Sequence, residues 1–216
     1  MKIKRFACNP LQENCYVVSD ESGEAAIVDC GAFYQEEKQA VSQYIADEGL
    51  KPVVLLNTHG HFDHAFGNAY IYNVFGLKAR VHPADAYMLA QLDQQCLRLM
   101  GTARGVENSP LGDALRDGEA ISFGSHTLRV IHTPGHSRGG CCFWCEGEGV
   151  AFSGDTLFRM SVGRTDFEEG DYGQLVQSLR RLTRLLPPET KVLPGHGPAT
   201  TMGDEAMYNP YLRNKD

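Results

Sequence analysis

The segment Thr58-His59-Gly60-His61-Phe62-Asp63-His64 places four side chains able to hold a metal ion within six residues. Imidazole and carboxylate are the nitrogen and oxygen donors that zinc and related divalent ions take. His59 and His61, two apart in an extended segment, project to the same side, whereas Asp63 and His64 open a following helix and aim elsewhere. One short stretch can therefore serve two adjacent ions. At this chain's His and Asp frequencies, a shuffled sequence would carry H-x-H-x-D-H about once in a thousand, which argues against a chance cluster on a polar turn. A metal site also needs donors from other elements, and three more candidates each follow a strand: His136, Asp155 and His196. They sit in Thr133-Pro134-Gly135-His136, Ser153-Gly154-Asp155 and Pro194-Gly195-His196-Gly197, where Gly and Pro permit sharp turns and close backbone approach to an ion.

The elements that must position these residues are readable in outline. Short β-rich runs, Ile3 to Ala7, Cys15 to Ser19 and Ala25 to Val28, are separated by turn residues and predict a meander. Tyr34 to Glu48 carries apolar residues at helical spacing and stops at Gly49. Pro52 to Leu56 predicts a buried strand leading into the His-rich turn, followed by a helix from Ala65 to Phe75 and a short strand at Ala79 to Val81. A helical stretch then runs to Leu99, and Gly101 to Gly112 has no periodicity and predicts a loop or lid. Strands resume from Glu119, through Leu128 to His132, Gly140 to Cys145 and Val150 to Ser153. A helix over Tyr172 to Leu185 and a last strand at Lys191 to Leu193 follow. Two batches of strands, each with its own helices, predict an α/β fold of two sheets packed face to face with helices outside. At 216 residues, one domain over 1–216 is the expected organisation.

The motif set resembles the metallo-β-lactamase superfamily and, within it, the glyoxalase II-like hydrolases, over essentially the whole chain. The resemblance implies an αββα sandwich of two mixed sheets flanked by helices. It implies that His59, His61 and His136 hold one metal ion, that Asp63, His64 and His196 hold a second, and that Asp155 bridges the pair. Two such cations about 3.5–4 Å apart lower the pKa of a shared water from 15.7 toward about 7, so hydroxide is present at neutral pH. A carboxylate spanning both ions offsets part of their repulsion. Asp63 and Asp155 are then the catalytic carboxylates, Asp63 orienting the hydroxide. The donors suit zinc and also accept iron or manganese. The implied activity is hydrolysis of a hydroxyacyl-glutathione-like thioester. The sequence runs only about twenty residues past His196, so the helical glutathione-binding region of two-domain glyoxalase II enzymes is not carried over to it. A rival is a mononuclear iron persulfide dioxygenase using His59, His136 and Asp155. A non-catalytic metal-binding protein is the third reading.

Composition narrows the partners. A net charge of −7 without a basic stripe argues against nucleic acid. No apolar run approaches membrane-spanning length, and the amino end lacks the core of a signal peptide. A small-molecule substrate and a cytoplasmic location are expected; oligomeric state is not readable. Seven cysteines, an odd number, predict reduced thiols. Cys142 and Cys145 match C-x-x-C but fall in a strand, where residues three apart face opposite sides. His82, His126 and His132 read as structural. Gly163-Arg164-Thr165-Asp166-Phe167 resembles a feature of single-domain glyoxalase II-like proteins and persulfide dioxygenases, and reads as an Arg–Asp pair holding a loop near the metals. Arg138 and Arg159 flank ligand loops.

Overall fold

The computed structural model describes residues 1–213. Strands β1 (Lys2–Cys8), β2 (Glu13–Ser19) and β3 (Glu24–Val28) form the expected antiparallel meander. Helix α1 (Gln35–Asp47) leads to β4 (Lys51–Leu56), parallel to β3, and α2 (Asn68–Phe75) leads to β5 (Ala79–Arg80), parallel to β4. After α3 (Ala86–Ala90) and α4 (Leu92–Met100), the second sheet begins with β6 (Ala120–Phe123), β7 (His126–His132), β8 (Cys141–Cys145) and β9 (Val150–Gly154). A small hairpin, β10 (Leu157–Phe158) and β11 (Ser161–Val162), precedes α5 (Tyr172–Leu185) and β12 (Lys191–Pro194). The chain continues through β13 (Thr200–Thr201), α6 (Met202–Tyr208) and α7 (Pro210–Arg213). The sheets run β1-β2-β3-β4-β5 and β13-β12-β9-β8-β7-β6, both mixed.

Strand alternation builds three apolar layers. On β2, Tyr16 and Val18 point into the core between the sheets with Phe143 and Phe152, while Cys15 and Val17 pack outward with Val41 and Ile45 of α1. On the far side, Leu175, Leu179 and Leu182 of α5 cover Ile131, Cys142 and Trp144. Helices therefore lie outside two facing sheets, the αββα order that the resemblance implied.

Two helical expectations need correction. The helix expected to begin at Ala65 starts at Asn68, and Phe62–His64 forms a 3₁₀ turn instead. The His64 carbonyl accepts from Cys30 N–H (3.0 Å) and from the Asn57 amide (2.9 Å), so that oxygen is committed to tertiary partners rather than to a regular helix. The helical stretch ending at Leu99 is two helices broken at Gln91, whose φ −128°, ψ 42° is non-helical. The elements beyond β12 are additions to the expected order, although Thr201 caps α6 by accepting from Asp204 N–H.

The cysteines are free and buried. Cys145 lies in the inter-sheet core and Cys142 faces α5, which bears out the strand reading. Burial pushes the Cys142 thiol up to about 11 and raises Cys145 as well, so neither is poised as a thiolate. A Cys142→Ala, Cys145→Ala double variant is expected to lose ~1–3 kcal/mol of stability, from trimmed apolar contact, with metal content and turnover close to wild type. Loss of turnover in a folded double variant would assign the thiols a role in chemistry.

Candidate metal centre

The motif residues converge at one end of the sandwich, beyond the carboxyl ends of the parallel strands β4, β9 and β12, where ligands of open α/β sheets commonly bind. His59, His61, Asp63 and His64 follow β4; His136 follows β7; Asp155 and His196 follow β9 and β12. The His196 turn is fixed from the opposite sheet. Asn14 N–H donates to the Gly195 carbonyl at 2.7 Å, and the Tyr16 hydroxyl donates to the Pro194 carbonyl at 2.8 Å.

Among the described residues, donor atoms gather in four overlapping groups: His59–His61–His136, Asp63–His64–His196, His59–His64–Asp155, which shares a residue with each of the first two, and Glu13–Asp29–His64 behind the His64 ring. His61 Nδ1 lies 2.9 Å from His136 Nε2, and His64 Nε2 lies 3.3 Å from His196 Nε2. The Asp155 carboxylate spans the groups: Oδ1 is 3.3 Å from His64 Nε2, while Oδ2 is 3.6 Å from His136 Nε2 and 3.7 Å from His196 Nε2. Asp63 Oδ2 approaches His196 Nε2 at 3.2 Å.

The rings are aimed by their other nitrogens. His64 Nδ1 meets Asp29 Oδ2 at 3.0 Å, His136 Nδ1 meets the Arg164 carbonyl at 2.8 Å, and His196 Nδ1 meets the Leu11 carbonyl at 3.0 Å. Thr58 Oγ1 donates to Asp29 Oδ2 at 2.7 Å and so accepts from His59 Nδ1 at 3.0 Å. The partner of each of these four rings fixes a proton on Nδ1 and leaves Nε2 as the atom that faces inward, as in metal-bound histidines. His59 Nε2 is buried and has no hydrogen-bond partner among the described residues, an arrangement that is costly unless something accepts that lone pair. The residues thus fit two cations.

The electrostatics favour the same conclusion. Burial, then the neighbouring imidazoles His64, His61 and His136, push His59 far below the ordinary histidine value, and burial with His136 takes His61 down to about 3. Burial alone would raise Asp155 and Asp63, yet His64 and the other imidazoles hold both below the usual carboxylate range. Against its own burial, His64 is raised by Asp155, Asp29 and Asp63, so a bound cation displaces a proton there.

Among the described residues, the other sequence candidates contribute no atom to the donor groups. His82 and His132 stack at 4.0 Å with planes 9° apart, and His126 sits between Asp20 and Glu148. Arg138 and Arg159 are exposed and do not line the cleft. Arg164 pairs bidentately with Asp166, both bonds 2.6 Å, but at the surface, and its guanidinium lies 4.3 Å over Phe167. Its backbone carbonyl, rather than its charge, holds His136. That contact, the Leu11 carbonyl and the role of Asp29 were missed, because a main-chain oxygen has no signature in residue type and Asp29 lies far from the motif in sequence.

The centre floors a cleft of about 590 Å³ that His61, Asp63, His136, Asp155 and His196 help to line. Its walls are mostly apolar, from Leu11, Phe62, Leu99, Phe158, Val162 and Phe167, with Ser161 and Arg164 also in the lining. Residues 101–112, read as a loop or lid, are mostly irregular but do not appear in this lining; Leu99 at the end of α4 does.

A family model for the metallo-β-lactamase superfamily matches residues 8–196. The chain belongs to this superfamily, one of metal-dependent hydrolases. It is 34% identical to hydroxyacylglutathione hydrolase GloC of Haemophilus influenzae, covering all of both chains. Among solved structures, it matches TTHA1623 in a di-iron-bound form at 38% identity and TM-score 0.85, covering 97% of this chain and all of the other. It also matches BLEG-1 B3 metallo-β-lactamase at 32% identity and TM-score 0.86, covering 99% and 100%. The metallo-β-lactamase fold is thereby established, and the di-iron relative shows that zinc is not the only metal the fold takes. Among the described residues, no helix is long and apolar enough to cross a membrane.

Proposed function

We propose that the protein is a binuclear metal-dependent thioesterase acting on hydroxyacyl-glutathione-like thioesters, with His59, His61 and His136 holding one ion, Asp63, His64 and His196 the other, and Asp155 between them. The observation that carries this reading is the Asp155 carboxylate, which directs one oxygen to His64 and the other to His136 and His196. When bound, two divalent ions would supply a hydroxide nucleophile at neutral pH and Lewis acidity toward the thioester carbonyl. The chain supplies the rest. Asp29, Thr58 and the Leu11 and Arg164 carbonyls fix the ring tautomers. Asp63 lines the cleft within reach of His196 and is placed to orient the attacking group. Apolar walls limit water around the reacting carbonyl and strengthen charge interactions at the floor. The name of the Haemophilus relative supports the thioester class. The substrate is a small molecule, and no basic stripe suits nucleic acid.

Hydrolysis of a lactoyl-glutathione thioester, followed by loss of its absorbance, tests the assignment. Turnover should disappear on chelation and return with Zn²⁺, Mn²⁺ or Fe²⁺. No thioester cleavage at any metal loading, together with persulfide-dependent oxygen uptake, would replace the hydrolase with the dioxygenase.

A further inference from the structure

Asp85 precedes α3, in a segment that the ligand motifs do not include, and its side chain is completely buried. Its carboxylate accepts from three donors on two ligand-bearing turns. Oδ2 takes Gly60 N–H at 3.0 Å and the Ser137 hydroxyl at 2.7 Å, and Oδ1 takes Gly139 N–H at 2.6 Å. Gly60 lies between His59 and His61; Ser137 follows His136. Both glycines are spaces made for this residue, since a Cβ on Gly60 would lie 2.9 Å from the Asp85 carbonyl oxygen and one on Gly139 would lie 2.6 Å from Asp85 Cγ. The same excursion grips the first turn again through Gln95, which donates to the Gly60 carbonyl at 3.0 Å and accepts from Phe62 N–H at 2.9 Å.

We infer that Asp85 is a positioning residue that sets the spacing between the His59–His61 turn and the His136 turn, and so determines the affinity of the first metal cluster but not of the second. Among the described residues, no ligand of the second cluster hydrogen-bonds to Asp85: His64 is tied to Asp29, which also reaches His59 through Thr58, and His196 is tied to the Leu11 carbonyl. Charge-assisted hydrogen bonds to buried N–H groups are among the strong ones, and removing one acceptor here leaves three buried donors unsatisfied. The inference rests on the binuclear reading.

Cobalt(II) titration of metal-free protein, read by visible absorption, tests it without recourse to activity. In a His196→Ala background, where the second cluster has lost a donor, Asp85→Ala should weaken cobalt binding ~10-fold or more, the scale found for outer partners of metal ligands. In a His136→Ala background, the same change should shift binding less than ~2-fold. Equal losses in both backgrounds, or no loss in the first, would overturn the inference. Ser137→Ala removes one donor and keeps the charge. If Asp85→Ala does not fold, Ser137→Ala decides the matter: ~3-fold weakening confined to the His196→Ala background supports the inference, and no change refutes it. Wild-type protein that binds fewer than two cobalt ions would instead overturn the binuclear reading itself.

Discussion

Replacing Asp155 by alanine is expected to lower thioester turnover by ~10³-fold and to reduce metal content at both clusters. That is the upper end of what one main electrostatic group contributes to catalysis. The size follows from its position. One oxygen faces His64 and the other faces His136 and His196, so on the proposed binuclear reading the substitution would remove a donor from each ion and the negative charge between them. The Asp155→Asn substitution would keep the shape and one acceptor oxygen but not the charge, and should recover metal binding better than turnover. Elemental analysis beside steady-state kinetics makes the measurement. An Asp155→Ala protein with two ions and near-normal turnover would remove this residue from the bridge.

The second large effect separates the hydrolase from an iron dioxygenase. His196 belongs to the second cluster, and a mononuclear site built from His59, His136 and Asp155 does not need it. His196→Ala should cut thioester turnover by ~10²-fold or more, because loss of the second ion would remove one of the two charges that activate the water and stabilise the developing oxyanion and leaving thiolate. His136→Ala should be at least as damaging, since it strips the first cluster. Under a dioxygenase, persulfide-dependent oxygen uptake would survive His196→Ala and fail only with His136→Ala. Both reactions must be run on the same preparations with metal content measured, since a folding defect would depress both together.

The sequence made the ligands more legible than their supports. H-x-H-x-D-H and three Gly-containing turns carry their chemistry in residue type, and the chain brings all seven of those side chains together, five of them on the cleft floor. The strand pattern was equally plain where alternation is strong, as in β2 and β8. What escaped was long-range. The 3₁₀ turn at Phe62–His64 exists because Cys30 and Asn57 claim the His64 carbonyl, contacts that no local periodicity encodes. Asp85 and Asp29 read as ordinary acidic residues until the fold buries them against ligand turns. Arg164 shows the converse: its type suggested an ion pair near the metals, the pair exists at the surface beside the cleft that Arg164 helps to line, and it is the main-chain oxygen that holds His136.

The central claim is that two ions sit on this floor, and metal counting addresses it most directly. Protein purified without chelator, or metal-free protein reconstituted with Zn²⁺, Mn²⁺ or Fe²⁺, should contain two equivalents per chain by elemental analysis, and thioester turnover should rise with the second. A ceiling of one equivalent with every metal, even in excess, would contradict the binuclear account.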